Sequence, residues 1–148
     1  MISESLERLT RKVEQYDNTF RNPNLSKLEL LGPYCLFPDD ETPIADASIR
    51  WDQEWPNSRR AGVYIIFSKD GTLLYVGKAW FIGRRLADYF RNELPLTKDR
   101  KCRVLHDGWT STPMYVVTVA APKDSRFEAA GLEEYLITEL KPCDNLRM

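Results

Sequence analysis

Between Ala61 and Arg91 the chain reads AGVYIIFSKDGTLLYVGKAWFIGRRLADYFR. This short span carries two strand tyrosines (Tyr64, Tyr75), a lysine (Lys78) and a pair of arginines (Arg84, Arg85). Phenols, an ammonium and guanidinium groups around one surface make a phosphate-handling constellation, of a kind that suits cutting a phosphodiester. Lys78 could lower a phenol pKa or hold a phosphate. Tyr64 and Tyr75 taken singly would be ordinary strand residues, since tyrosine fits pleated, half-buried surfaces well. Their common direction is what makes them interesting. An Asp-Gly turn (Asp70, Gly71) lies between two β-rich runs, the strongest local signal for a hairpin. With those two as the turn, Ile66 pairs with Tyr75 and Tyr64 with Gly77. Paired residues share a face of the sheet, so both phenols point the same way.

The elements that must hold these groups follow from the pattern around them. The spacing predicts strands over 62–67 and 72–77, then a helix from about 81 to 91 that carries Arg84, Arg85 and Tyr89. On that helix Phe81, Ile82, Leu86 and Tyr89 form the buried side. Arg85 borders it, which makes it the candidate for a fixed, functional guanidinium. Arg84 points away and is suited to nonspecific phosphate contact. Met114 to Ala120 is uniformly apolar and reads as a central strand. Asp124 and Ser125 are placed to cap a last helix over 125–140, which Pro142 follows. On it Ala129, Ala130, Leu136, Ile137 and Leu140 make one stripe, with Glu133 at its centre. A carboxylate there needs a cationic partner. Helix geometry leaves two open: a buried arginine, or a metal ion. Glu134 and Glu128 fall off the stripe and are expected in solvent.

Towards the N-terminus, Ile2, Leu6, Leu9, Val13, Tyr16 and Phe20 step as one stripe of an amphipathic helix, with Ser3 as its N-cap and Asn22-Pro23 at its end. The stripe is expected to pack on the domain, and either a monomer or a weak dimer fits it. Residues 25–60 read as irregular, with prolines and an acidic Asp39-Asp40-Glu41 run. Trp51 and Trp55 argue that this segment docks on the rest. The organisation expected is thus 1–60, an amphipathic helix and a Pro/acidic docking segment, and 61–148, the domain that carries the chemistry.

The 148 residues have a formal net charge of −1, unevenly spread. Residues 1–58 hold 6 basic and 11 acidic side chains, residues 59–103 hold 11 and 4, and residues 104–148 hold 4 and 7. The positive field therefore gathers around the hairpin and its helix, where it attracts phosphate. Arg84, Arg91, Lys98, Arg100, Lys101 and Arg103 are the candidate nucleic-acid contacts. His106, the single histidine, lies in the same loop region and is an outside candidate for approaching a phosphate. Cys35, Cys102 and Cys143 show no metal-ligand spacing and no disulfide framework. No apolar run is long enough to span a bilayer, so a cytoplasmic protein without membrane contact is expected.

Taken together the motifs resemble the GIY-YIG nuclease family, most closely the N-terminal nuclease domain of the bacterial excision-repair incision protein. The first family motif appears as Gly62-Val63-Tyr64 and the second as Tyr75-Val76-Gly77, followed by Lys78-Ala79. The family arginine falls on Arg85 and its helix tyrosine on Tyr89. The late motif appears as Glu128-Ala129, Glu133, Leu136-Ile137, Pro142 and Asn145. The resemblance covers about residues 61–146, and valine replaces isoleucine in both tripeptides. It implies an α+β fold: a small three-stranded antiparallel sheet flanked by helices, here with an N-terminal helical and irregular extension. It further implies an endonuclease hydrolysing DNA, duplex or branched, with one Mg²⁺ or Mn²⁺ held by Glu133. Tyr64 and Tyr75 inherit the water-activating surface, with Tyr64 the first choice for general base. Arg85 inherits stabilisation of the pentavalent phosphorus, and Asn145 a supporting hydrogen bond. Two other readings stay open. One is an inactive fold used as a nucleic-acid-binding module. The other is a nuclease held inactive by its acidic N-terminal segment until a partner binds.

Overall fold

The computed structural model describes residues 2–38, 49–92 and 101–145. Its elements run α1 (Ile2–Phe20), β1 (Glu29–Cys35), β2 (Ile49–Arg50), β3 (Gly62–Ser68), β4 (Leu73–Ala79), α2 (Ile82–Ala87), β5 (Phe90–Asn92), β6 (Cys102–Val104), β7 (Pro113–Ala120) and α3 (Glu128–Leu140). The fold is α+β, as expected, but the sheet is larger than three strands. Five strands lie in the order β2-β1-β7-β3-β4. All pairings are antiparallel except β1 with β2.

The extra strands come from the segment read as irregular. Glu29 to Cys35 pairs along β7, with a register shift between Leu31 and Tyr34. Prolines and a kinked register hid the strand, because the period-2 alternation breaks where the ladder does. Residues before 61 thus belong to the same sheet as those after it. The acidic run Asp39-Asp40-Glu41 lies outside the described residues.

The hairpin forms as read: Tyr64 pairs with Gly77 and Ile66 with Tyr75. The register then slips so that Phe67 faces Leu73. The turn is tied by the Ser68 hydroxyl, which donates to Asp70, and by the Thr72 N–H, which reaches Ser68 Oγ at 3.1 Å.

Every residue of β3 and β7 is buried. Both faces of the sheet are covered, which is why these strands read as continuous apolar runs. On one face Val63, Ile65, Phe67, Val117 and Val119 meet Leu9 and Val13 of α1 and Leu132, Leu136 and Leu140 of α3. On the other, Tyr64, Ile66 and Val116 meet Ile82 and Leu86 of α2, Phe90, and the segment around Trp55. Trp55 docks as expected, 4.6 Å centroid to centroid from Tyr34 and 5.7 Å from Trp51.

Several expectations are corrected. Ser3 lies inside α1 rather than capping it. The helix after the hairpin ends at Ala87, and Phe90–Asn92 is a strand paired with Cys102–Val104 from the supposed loop. Tyr89 keeps the helical phase of the buried side, but burial of Phe90 pulls the chain into an extended path. The last helix starts at Glu128, because turns over 122–127 precede it. Its buried stripe is Ala129, Leu132, Leu136 and Leu140, while Ala130 is exposed. Glu133 therefore sits at the edge of the stripe, and Leu132 takes its centre.

Glu128 is the largest reversal. It is 8 % exposed, not solvated. Arg21 grips it in a fork, Nε to Oε1 at 2.6 Å and Nη2 to Oε2 at 2.9 Å. Ser125 donates to the same carboxylate at 2.7 Å. Arg21 also reaches Asp17 and the Ser26 carbonyl, each at 2.6 Å. The buried Glu–Arg pair considered for Glu133 thus exists one turn earlier, and it fastens the end of α1 to the start of α3.

Candidate active site

Three phenols converge where β3, β4 and the α2–β5 turn meet. Ring centroids are 6.0 Å apart for Tyr64 and Tyr75, 5.9 Å for Tyr64 and Tyr89, and 6.3 Å for Tyr75 and Tyr89. The hydroxyl oxygens of Tyr64 and Tyr89 lie 3.3 Å apart, and either can donate. Gly77 makes room for this triangle. A Cβ there would overlap Cζ and Oη of Tyr64 and lie 2.8 Å from Cε1 of Tyr75. The glycine is needed for close approach across the strands.

Trp109 closes the cluster, at 6.1 Å from Tyr75 and 5.9 Å from Tyr89. His106 is exposed but edges onto Tyr89 at 6.1 Å and Trp109 at 5.5 Å. It stands at the rim of the tyrosines. The sequence reading missed Trp109; a lone tryptophan between Gly108 and Thr110 has no periodicity to place it.

Tyr64 and Tyr75 are held neutral. Burial, then the hydrogen bond to Tyr89, pushes the Tyr64 pKa far above the ordinary tyrosine value, with Arg85 pulling weakly the other way. Burial, then the neighbouring Tyr89, raises Tyr75 to about 12, with Tyr64 opposing the rise weakly. Tyr75 is the less buried of the two and feels the Glu133 charge.

Glu133 meets this cluster at the open edge of β4. Lys78 Nζ lies 3.8 Å from its Oε1. The lysine is half exposed and the carboxylate about 20 % exposed, so the pair is loose. Burial raises the Glu133 pKa despite Lys78 and the Lys78 backbone N–H, which lower it. The carboxylate is therefore under-compensated where it stands. Among the described residues no group of three or more His, Cys, Asp or Glu side chains could chelate a metal. One carboxylate suits Mg²⁺ nonetheless, because that ion keeps several waters and takes substrate phosphate oxygens as ligands. The donor set fits such an ion. Glu134 is exposed, as expected.

Arg84 and Arg85 are both exposed, but they keep different neighbours. Arg85 lines a cleft with Lys78, Ala79 and Trp80. Arg84 lies over the Phe81 ring, 4.8 Å from its centroid. Arg91 and Arg103 are directly opposed across the β5–β6 ribbon, both exposed, with Lys101 beside them. Lys98 and Arg100 lie outside the described residues.

Asn145 hydrogen-bonds the backbone of β4 with both ends of its side-chain amide. Its Oδ1 accepts from the Val76 N–H at 2.9 Å and its Nδ2 donates to the Val76 carbonyl at 2.8 Å. It satisfies the outer edge of β4 between Tyr75 and Gly77, and so is a positioning residue. The Asp144 N–H donates to the Leu74 carbonyl at 2.8 Å, extending the cover along that edge. The Asp144 carboxylate accepts from the Thr110 N–H at 3.2 Å and its hydroxyl at 2.5 Å. That bond anchors the loop carrying Trp109 and His106, a role no sequence signal announced.

Residues 60–146 match the model of the UvrC-like GIY-YIG domain, and the chain belongs to that family. The relatives it matches include UvrABC system protein C of Pseudomonas syringae pv. tomato, 38 % identical over 91 residues. That of Porphyromonas gingivalis is 38 % identical over 87 residues, and that of Pseudomonas aeruginosa 37 % over 91. These alignments cover 59–60 % of this chain but 13 % of each relative. Among the described residues no helix is long and apolar enough to cross a membrane.

Proposed function

We propose that this chain is a divalent-cation-dependent DNA endonuclease. The observation that carries the reading is the joining, at one edge of the sheet, of three packed phenols, the Lys78–Glu133 pair and Arg85. Glu133 would hold Mg²⁺ or Mn²⁺ with water and substrate phosphate completing its shell. When bound, the ion supplies Lewis-acid polarisation of the phosphate and stabilises the leaving oxygen.

Tyr75 is the better general base of the pair. It is the less buried phenol, and its pKa is raised less than that of Tyr64. Tyr64, buried and neutral, packs against Tyr75 and is itself hydrogen-bonded to Tyr89. Lys78, beside the carboxylate at the same edge, offers a positive charge that can meet a substrate phosphate. Arg85 faces the same cleft and stabilises the charge that builds on phosphorus. Arg91, Arg103 and Lys101 carry the neighbouring DNA backbone. Two directly opposed arginines repel unless an anion lies between or over them.

The acidic-segment reading finds no support from α1, which covers the face of the sheet opposite Tyr64. The resemblance to the excision-repair incision protein makes DNA repair the proposed setting. Incubating the purified chain with Mg²⁺ or Mn²⁺ and a panel of supercoiled, linear, flap and junction DNA tests the activity. Cleavage that EDTA abolishes supports it; no cleavage of any substrate with either ion rejects it in favour of a binding module.

A further inference from the structure

Beside Lys78 and Arg85 a cleft of about 250 Å³ runs between the end of β4 and the start of α3. Lys78, Trp80, Arg85, Arg126 and Phe127 line it, with alanines between them. Trp80 and Phe127 are exposed to 60 % and 73 %, among the most exposed large apolar side chains described. The Arg126 guanidinium lies over the Trp80 ring, 4.6 Å from its centroid. None of these three side chains has a part in the hydrolysis derived above.

Flat aromatic surface in water is costly to leave open, and here Arg126 lies over one ring while Lys78 and Arg85 line the same cleft. Aromatic faces interleaved with guanidinium groups are what a polyanion with planar bases requires. The volume falls below the roughly 300–1,000 Å³ of pockets for drug-sized ligands, and suits one planar group. The base pairs of a continuous duplex keep their faces stacked on each other and cannot enter it. Lys78 lines the cleft and also pairs with Glu133, so the cleft adjoins the hydrolytic edge.

We infer that this cleft binds one unpaired, unstacked nucleotide of a DNA strand, held between Trp80 and Phe127 with its phosphate on Arg126. Placing that nucleotide next to the scissile phosphate rests on the nuclease reading above, and makes DNA with unpaired bases at the cut the preferred substrate class. The base binding itself does not need cleavage.

The test is therefore made in EDTA, by fluorescence anisotropy of a labelled oligothymidylate and of a blunt duplex of equal charge. The wild type should bind the oligothymidylate more tightly. Trp80→Ala and Phe127→Ala should each weaken that binding about tenfold or more. Duplex affinity should change less than about twofold, since the cations remain. Trp80→Phe should restore most of the loss. Both positions are exposed, so the variants should fold, which circular dichroism checks. No preference for the unpaired strand, or equal losses on both ligands, would overturn the proposal. Plasmid cleavage in Mg²⁺ is scored separately: if cleavage persists while the preference is absent, the base-binding inference alone falls. If the preference is present without cleavage in any metal, the nuclease reading alone falls.

Discussion

Gly77→Ala asks whether the tyrosine triangle is a built object or a coincidence of packing. The added Cβ would overlap the end of the Tyr64 ring and press on Tyr75. Tyr64 has little room to yield, being 2 % exposed and hydrogen-bonded to Tyr89. Overpacking of this kind costs about 1–3 kcal/mol, and losing the hydroxyl pair adds about 0.5–1.5 kcal/mol. The urea midpoint should fall accordingly with the m-value unchanged. Displacing both phenols should also lower the cleavage rate by orders of magnitude while DNA affinity holds. In a Tyr64→Ala background most of the overlap is gone, so the same glycine substitution should cost at least about 1 kcal/mol less. A Gly77→Ala protein within about 0.5 kcal/mol of wild type, with no coupling to Tyr64, would refute the reasoning.

Other outcomes follow from the same structure. Glu128→Ala removes the forked carboxylate from the buried Arg21, leaving it Asp17 and the Ser26 carbonyl, and should lower stability by about 1.5–3 kcal/mol in urea titrations at neutral pH. Arg21 holds the Glu128 carboxyl below its ordinary 4.5, so that contribution is complete above this pH and fades as pH falls through the depressed value. The gap between wild type and variant should narrow in that acid range. Arg85→Ala should lower kcat strongly with little change in DNA affinity, whereas Arg84→Ala should weaken binding mildly and reduce the salt slope by about 0.9. With the Tyr75 phenol at about 12, the initial rate should rise close to tenfold per pH unit above neutrality, and Tyr75→Phe should flatten that limb. A flat profile in the wild type would leave a base other than a tyrosine.

The sequence was most informative where a local rule settled the geometry. Asp70-Gly71 set the hairpin register, and the register set the common face of Tyr64 and Tyr75. It was least informative where long-range packing overrode local phase. Phe90 left the helix to fill the core beside Trp55, 6.0 Å away. Glu128 looked solvated because its partner, Arg21, lies 107 positions earlier. Glu133 was singled out by its place on a stripe whose centre is in fact Leu132; its position at the β4 edge beside Lys78 singles it out on different grounds. The strand Glu29–Cys35 and the anchoring role of Asp144 both depend on partners far along the chain, which no window of sequence contains.

The most direct test of the central claim is the initial rate of plasmid nicking in Mg²⁺ by the wild type and by Glu133→Gln at matched DNA occupancy. The substitution keeps shape and removes the charge that the ion requires. The account predicts wild-type cleavage, and a variant with native circular dichroism, undiminished DNA affinity and a rate at least about 100-fold lower. A Glu133→Gln protein that nicks DNA at the wild-type rate would contradict it, leaving the carboxylate as a partner of Lys78 and nothing more.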